Sequence, residues 1–173
     1  MNARPSALAA LVLLVVFAGP TRAQGEWSEG FGSSVGFGLG VAGDLGDRDA
    51  LRYGLEISVD WRRDPFVVSA RTACVCEFFG DQTYDVGLLV GPSYTRGQWS
   101  GSAGVGVGAA WADKFDLFIS SSTSGPVLSL PFSGEVAYQV RDGEALHVAL
   151  RAFGSVNRAE NFGGTAAGFR LRF

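Results

Sequence analysis

From Ser33 onward, apolar residues alternate with polar or small ones at a period of two, and no stretch keeps the three-to-four-residue spacing of an amphipathic helix. A period of two sends successive side chains to opposite faces of a strand. Val35, Phe37, Leu39 and Val41 stand against Gly36, Gly38, Gly40 and Ala42. Tyr53, Leu55, Ile57, Val59 and Trp61 stand against Arg52, Gly54, Glu56, Ser58, Asp60 and Arg62. A third segment, from Phe66 to about Cys76, sets Val68, Ala70, Thr72 and Cys74 against Ser69, Arg71 and Ala73. The fourth sets Tyr84, Val86, Leu88, Val90 and Tyr94 against Asp85, Gly87, Gly91 and Ser93. The fifth sets Trp99, Ala103, Val105, Val107, Ala109 and Trp111 against Ser100, Ser102, Gly104, Gly106 and Gly108. In the sixth, Leu128, Leu130, Phe132, Val136, Tyr138 and Val140 face away from Ser129, Ser133, Glu135 and Gln139. The seventh opposes Leu146, Val148, Leu150 and Ala152 to His147, Ala149 and Arg151. The eighth opposes Thr165, Ala167, Phe169, Leu171 and Phe173 to Gly164, Ala166, Gly168, Arg170 and Arg172. Eight strands are predicted.

The connections alternate in length. Segments 62–65, 95–98 and 141–145 are tight and carry Pro, Gly and Asp, whereas 43–50, 77–83, 112–126 and 157–163 are longer. Short turns at one end and long loops at the other predict an up-and-down meander with two distinct ends. An even strand number with short periplasmic turns and long external loops is the plan of a bacterial outer-membrane barrel. With the amino end in the periplasm, every short turn falls on the periplasmic side.

Residues 1–23 have the parts of a secretory signal. Arg4 is the positive start, residues 7–18 form an unbroken apolar run, and Gly19-Pro20 breaks it before Thr21-Arg22-Ala23. The run is well short of the roughly 20 residues a membrane-spanning helix needs. No cysteine follows the expected cleavage before Gln24, so no lipoprotein anchor is predicted. The mature domain is expected to be 24–173, exported from the cytoplasm, with no periplasmic domain after Phe173.

Alternation alone permits two barrels: a soluble lipocalin-like one with an apolar interior, and a membrane barrel with an apolar wall. Composition separates them. Of 173 residues, 25 are glycine, and only 18% are charged. The polar face holds glycine, serine and alanine with arginine and acid at intervals, and the chain's one lysine, Lys114, lies in a loop. A water-exposed wall would be laced with long polar side chains. On this register the lumen holds Arg52, Arg62, Arg71, Arg151, Arg170, Arg172 and His147 with Glu56, Asp60, Asp85 and Glu135. Guanidinium and carboxylate match in geometry, so an internal salt-bridge network is predicted. Aromatics also sort by height on the apolar face. Trp61, Phe66, Tyr94, Trp99, Tyr138 and Phe173 fall near the periplasmic ends, and Tyr53, Tyr84 and Trp111 near the external ends. Two aromatic girdles are what the water–lipid boundaries select.

Phe173 ends the chain, with Phe169 and Leu171 at alternate positions before it. This resembles the terminal signal that outer-membrane barrels present to their assembly machinery. With the alternation and the signal segment, the chain resembles the small eight-stranded outer-membrane barrels of Gram-negative bacteria, the porin-family class of OmpX and the membrane domain of OmpA. The resemblance covers nearly all of 33–173 and is one of architecture. It implies an all-β, eight-stranded antiparallel up-and-down transmembrane β-barrel in the cell outer membrane. It further implies contact with outer-membrane lipid and lipopolysaccharide, recognition of the last strand by the barrel-assembly machinery, and a monomer.

Catalysis is not predicted. Lipid A deacylases of this shape resemble a hydrolase triad with a serine two residues after a histidine, since a hydroxyl needs imidazole within hydrogen-bond reach. The sole histidine, His147, is followed two residues on by Ala149 and lies on the lumen face. Palmitoyl-transferring barrels resemble sites built on a histidine at the external rim, and outer-membrane proteases need longer chains. Cys74 and Cys76 share a face at about 6.5 Å in an extended strand, with parallel side chains, a poor disulfide geometry; they are expected to be small apolar residues near the lipid. Too few ligands lie near them for zinc, so neither metal nor cofactor is expected. The glycine runs sit inside strands rather than before a helix, so they predict no phosphate loop. A net charge of -3 gives no nucleic-acid footprint. Loop 112–126, with Phe115, Leu117, Phe118 and Ile119, is expected to extend its hairpin beyond the membrane or fold over the mouth; a contact site for a partner is the other reading.

The function expected is therefore a structural or surface-interaction role with a lumen closed by charged side chains. The alternatives, in order, are a narrow ion or solute channel, a lipid A-modifying enzyme and a soluble lipocalin-like binding barrel. The channel reading draws on glycine facing the lumen from both the first and fifth strands, which should leave space there.

Overall fold

A computed structural model describes residues 32–45, 52–77, 80–114, 122–123, 125–141, 145–158 and 160–173. The expected signal, residues 1–23, and the apolar tip of the longest loop, 115–121, lie outside the described residues. The strands are β1 (Gly32–Asp44), β2 (Arg52–Arg63), β3 (Phe66–Cys76), β4 (Gln82–Arg96), β5 (Trp99–Lys114), β6 (Ser122–Thr123), β7 (Val127–Gln139), β8 (Leu146–Asn157) and β9 (Phe162–Arg172). No helix occurs among the described residues. Eight long strands pair antiparallel with their neighbours, and β1 pairs with β9 from Ser34↔Arg172 to Asp44↔Phe162, which closes the barrel. The short β6 continues the β5–β7 hairpin past the sheet, through Asp113↔Thr123 and Lys114↔Ser122.

Closure leaves no edge strand to be covered. The carboxyl end is held on both sides: the Phe173 amide donates to the Ser33 carbonyl at 2.8 Å and the Arg172 amide to Ala145 at 2.9 Å. At one end the chain turns through Asp64-Pro65, whose peptide is cis, through Gly97-Gln98, and between Gln139 and Leu146. Gly97 has φ +58°, which a side chain would disfavour. Gly32 and Phe173 share this short-turn end, and the strand ends joined by the longer links lie at the other.

The faces are sorted by the alternation. Leu39, Leu88, Val90, Val105, Val107, Leu128 and Leu150 point outward and are exposed, while Arg71, Asp85, Glu56 and Arg170 are buried inside. Exposing a continuous apolar wall while burying charge is the reverse of a water-soluble domain. Arginine at a lipid-facing midplane position costs about 2–4 kcal/mol. Leu88→Arg, at a position 59% exposed in the middle of β4, should therefore weaken folding into lipid vesicles by about that amount. Urea titration in vesicles reads the loss; an unchanged midpoint would mean that the wall does not meet lipid.

One expectation is overturned. Cys74 and Cys76 form a disulfide across a Cα–Cα distance of 6.1 Å. The two side chains point the same way from the last residues of β3. That distance lies inside the window of about 4.4–6.8 Å for disulfides, as the extended spacing of about 6.5 Å also does, so two side chains leaving one face in parallel are no bar to the bond.

Candidate functional site

The lumen is the candidate site, and it is layered along the barrel axis. Nearest the short-turn end, Glu135 of β7 collects three arginines. Its Oε2 accepts from Arg151 Nε at 2.7 Å, and its Oε1 faces Arg62 at 3.4 Å and also Arg170. Arg151 is the direct cross-strand neighbour of Glu135; the other two come from β2 and β9. Arg62 also donates to Ser102 Oγ at 2.9 Å. Asp60 accepts from Ser69 Oγ at 2.5 Å and pairs with Arg170 at 3.2 Å. Glu56 lies buried beside this cluster, His147 is buried below it, and Arg172 is half-buried at the mouth.

Above lies the most enclosed pair. Arg71 Nη2 meets Asp85 Oδ1 at 2.8 Å, with 1% and 0% of the side chains exposed. Most of the remaining polar positions are taken up: Arg71 donates to the carbonyls of Phe132 at 2.7 Å and Gly154 at 3.0 Å, and Ser155 Oγ donates to Asp85 Oδ2 at 2.8 Å, while Arg71 Nε has no partner in the protein. A buried ion pair persists only when its surrounding lone pairs and protons are also satisfied.

Toward the long-loop end the lumen becomes apolar. Ala42, Ala73, Val75, Phe153, Phe162 and Ala166 form a buried cluster. Outside it, Arg52 pairs with Glu77 at 3.1 Å and with Glu160, which also accepts from Thr83. That pairing ties β2 to the β3–β4 and β8–β9 loops at the rim. Within the Glu135 cluster lies a cavity of about 20 Å³, bordered by Glu56, Asp60, Ser69, Glu135, Arg151 and Arg170. About 10–15 Å³ holds one water, so this is space for water and not for a solute.

The wall carries the aromatics. Trp99 and Tyr138 are cross-strand neighbours with ring centres 4.9 Å apart, and Tyr138 Oη donates to Gln98. At the other end, Tyr84 stacks on Trp111 at 5.6 Å and donates to Gln82. Phe66, Tyr94, Tyr53 and Phe173 are exposed, Trp61 half-buried. Phe169 faces out next to Phe37 at 5.7 Å, and Leu171 faces out below it.

A closed eight-strand meander, an apolar exterior and a charged interior together narrow the fold to one class. Neisserial surface protein A is similar in structure, with TM-score 0.61 and 18% identity over 84% of this chain and 98% of that one. The fold is that of the small outer-membrane β-barrels. Ail, the attachment invasion locus protein of Yersinia pestis solved with the heparin analogue sucrose octasulfate, has TM-score 0.59 and 15% identity, covering 83% and 97%. The N-terminal β-barrel domain of Pseudomonas aeruginosa OprF has TM-score 0.54 and 11% identity, again covering 83% and 97%. No family model matches the sequence, and no curated protein matches it.

Within the barrel, glycine serves two purposes. Gly36 faces the Arg151 guanidinium and Gly54 the Phe153 ring, so a methyl at either would displace the lumen filling. Gly40, Gly106 and Gly168 instead lie against the carbonyls of Thr165, Leu88 and Phe37, where a Cβ would strike backbone. Those positions let neighbouring strands bend into so narrow a cylinder. The space expected opposite the glycines of β1 and β5 is therefore occupied: by Arg151 at Gly36, by Ala166 and Arg151 at Gly38, by Leu89 at Gly104, and by adjoining backbone at Gly40, Gly106 and Gly108. Sequence reasoning passed over the apolar layer, the rim acids Glu77 and Glu160, and Ser155. The signal for Phe153 and Ser155 was their parity, continuous with His147 and Arg151; Phe162 shares parity with Gly164.

Proposed function

We propose that the protein is an integral outer-membrane barrel with a sealed lumen and a non-catalytic structural or surface-interaction role. The observation that carries this reading is the filled interior: paired charges below, an apolar layer above, and a cavity of only about 20 Å³ among the charges. An eight-stranded barrel is just wide enough for side chains to fill. On this reading the short-turn end faces the periplasm and the long loops face outward, with Trp99 and Tyr138 at one lipid boundary and Tyr84 and Trp111 at the other. The exposed terminal face of Phe169, Leu171 and Phe173 remains our candidate for recognition by the assembly machinery.

A non-catalytic role is supported by where the one histidine lies. His147 is inside the barrel at the short-turn end, with Arg170 and Gln139 as its cross-strand neighbours. It cannot meet lipid from there. Among proteins of this fold, Ail bears the name attachment invasion locus and was crystallised with a heparin analogue. That precedent supports external loops as the place where this chain would meet a partner. Density fractionation of cells tests the location: the protein is expected with outer membranes and to migrate differently on a denaturing gel before and after heating. Recovery as a freely soluble periplasmic protein would overturn it.

A further inference from the structure

At the short-turn mouth a second, smaller cavity of about 10 Å³ is bordered by Ser34, Arg62, Ser100, His147, Arg170 and Arg172. Three guanidiniums line it, of which that of Arg172 has a partner of its own, and no carboxylate side chain among the described residues borders it. The acids that answer these arginines stand behind them: Glu135 is shared with Arg62, Arg151 and Arg170, and Asp60 is engaged by Arg170 and Ser69. Asp64, a further acid at this end, accepts from Ser93 Oγ at 2.8 Å. Several buried polar atoms around the cavity have no hydrogen-bond partner in the protein: Ser34 Oγ, Ser100 Oγ, both ring nitrogens of His147, and Nε of Arg62 and Arg170. The residues that carry them are each at least nine-tenths buried.

We propose that this pocket binds one small monovalent anion, a halide, with chloride as the species available in the cell. Donors outnumber acceptors in the lining: guanidinium has no acceptor, each serine has a hydroxyl proton beside its lone pairs, and neutral imidazole has one N–H beside one bare nitrogen. A water molecule must place its own two protons and can accept about two hydrogen bonds, so it satisfies such a lining poorly. An aprotic anion accepts from every direction and offsets the local guanidinium charge in a place where burial strengthens that attraction. Size selects among anions. The space admits about one water-sized centre, so a halide, which is larger than water, enters only as the arginine ends at the mouth give by about a few tenths of an ångström, and phosphate, sulfate and carboxylates are excluded.

The test uses the mature barrel refolded in detergent, with gluconate as the reference anion because it is too large to enter. Sodium chloride or bromide replaces sodium gluconate at constant ionic strength, and the urea unfolding equilibrium is followed. An ion that binds only the folded barrel multiplies the folding constant about elevenfold at ten times its dissociation constant, and the gain follows a saturating curve. Ser100→Leu, which fills the pocket with a side chain, should abolish that dependence. Crystals grown in bromide should show an anomalous peak between Ser34, Ser100 and Arg170, a readout that does not need the variant to fold. No halide effect at matched ionic strength, an equal effect in Ser100→Leu, or a peak that scatters as water would each overturn the proposal.

Discussion

Asp85→Asn should cost the barrel about 3–5 kcal/mol, because it leaves the Arg71 guanidinium charged and uncompensated in the most enclosed part of the lumen. The substitution keeps size and much of the hydrogen bonding, since an amide oxygen can still accept from Arg71 or Ser155. What it removes is the negative charge 2.8 Å from Arg71 Nη2. With the pair at 1% and 0% exposure, water cannot take over that role. The double variant Arg71→Met, Asp85→Leu should recover most of the loss, because replacing a whole buried pair by apolar residues is often neutral. Urea unfolding in lipid vesicles, followed by the shift between folded and unfolded gel bands, measures both. A loss below about 1 kcal/mol for Asp85→Asn, the range of solvent-exposed pairs, would mean that water reaches this layer.

Phe153→Ala should be comparably severe, about 3–5 kcal/mol, through the cavity that a truncated core phenylalanine leaves. Phe153 is 1% exposed and packs with Phe162, Val75 and Ala42 inside the barrel at the long-loop end. The backbone at Gly54 stands against its ring, and strands tied by closure on both sides cannot collapse onto the vacated space. The variant should also admit water to the upper lumen, which faster hydrogen exchange at the buried β2 and β9 amides around Gly54 and Ala166 would report. Wild-type stability and exchange in Phe153→Ala would mean that the layer is not a seal.

These two layers differ in how far the sequence disclosed them. The alternation from Val35 to Val41, from Leu128 to Tyr138 and in the other strands predicts eight strands and assigns each side chain to a face, because a strand has only two faces to offer. Antiparallel pairing with alternating short and long links then leaves little choice of topology. Parity does not give height or partner. Glu135 could be placed inside, but its contact with Arg62, 73 positions away, depends on strand tilt and on which side chains reach across the axis. The apolar layer was missed for a related reason: a lumen expected to be polar throughout gives Phe153 and Phe162 no role, although their parity points inward. A narrow barrel has no need for water inside, and rings fill it as well as ion pairs do. The Cys74–Cys76 disulfide goes against the expectation because side chains that leave one face of a strand in parallel can still turn their sulfurs together at a Cα–Cα distance of 6.1 Å.

Electrical recording across a planar bilayer tests the sealed lumen most directly. Reconstituted wild-type protein, shown to be folded by its heat-dependent gel shift, should give no conductance steps at any applied voltage in either orientation. Reproducible unitary steps from that same folded preparation would contradict a lumen closed by Glu135 with its three arginines, Arg71 with Asp85, and the Phe153–Phe162 layer.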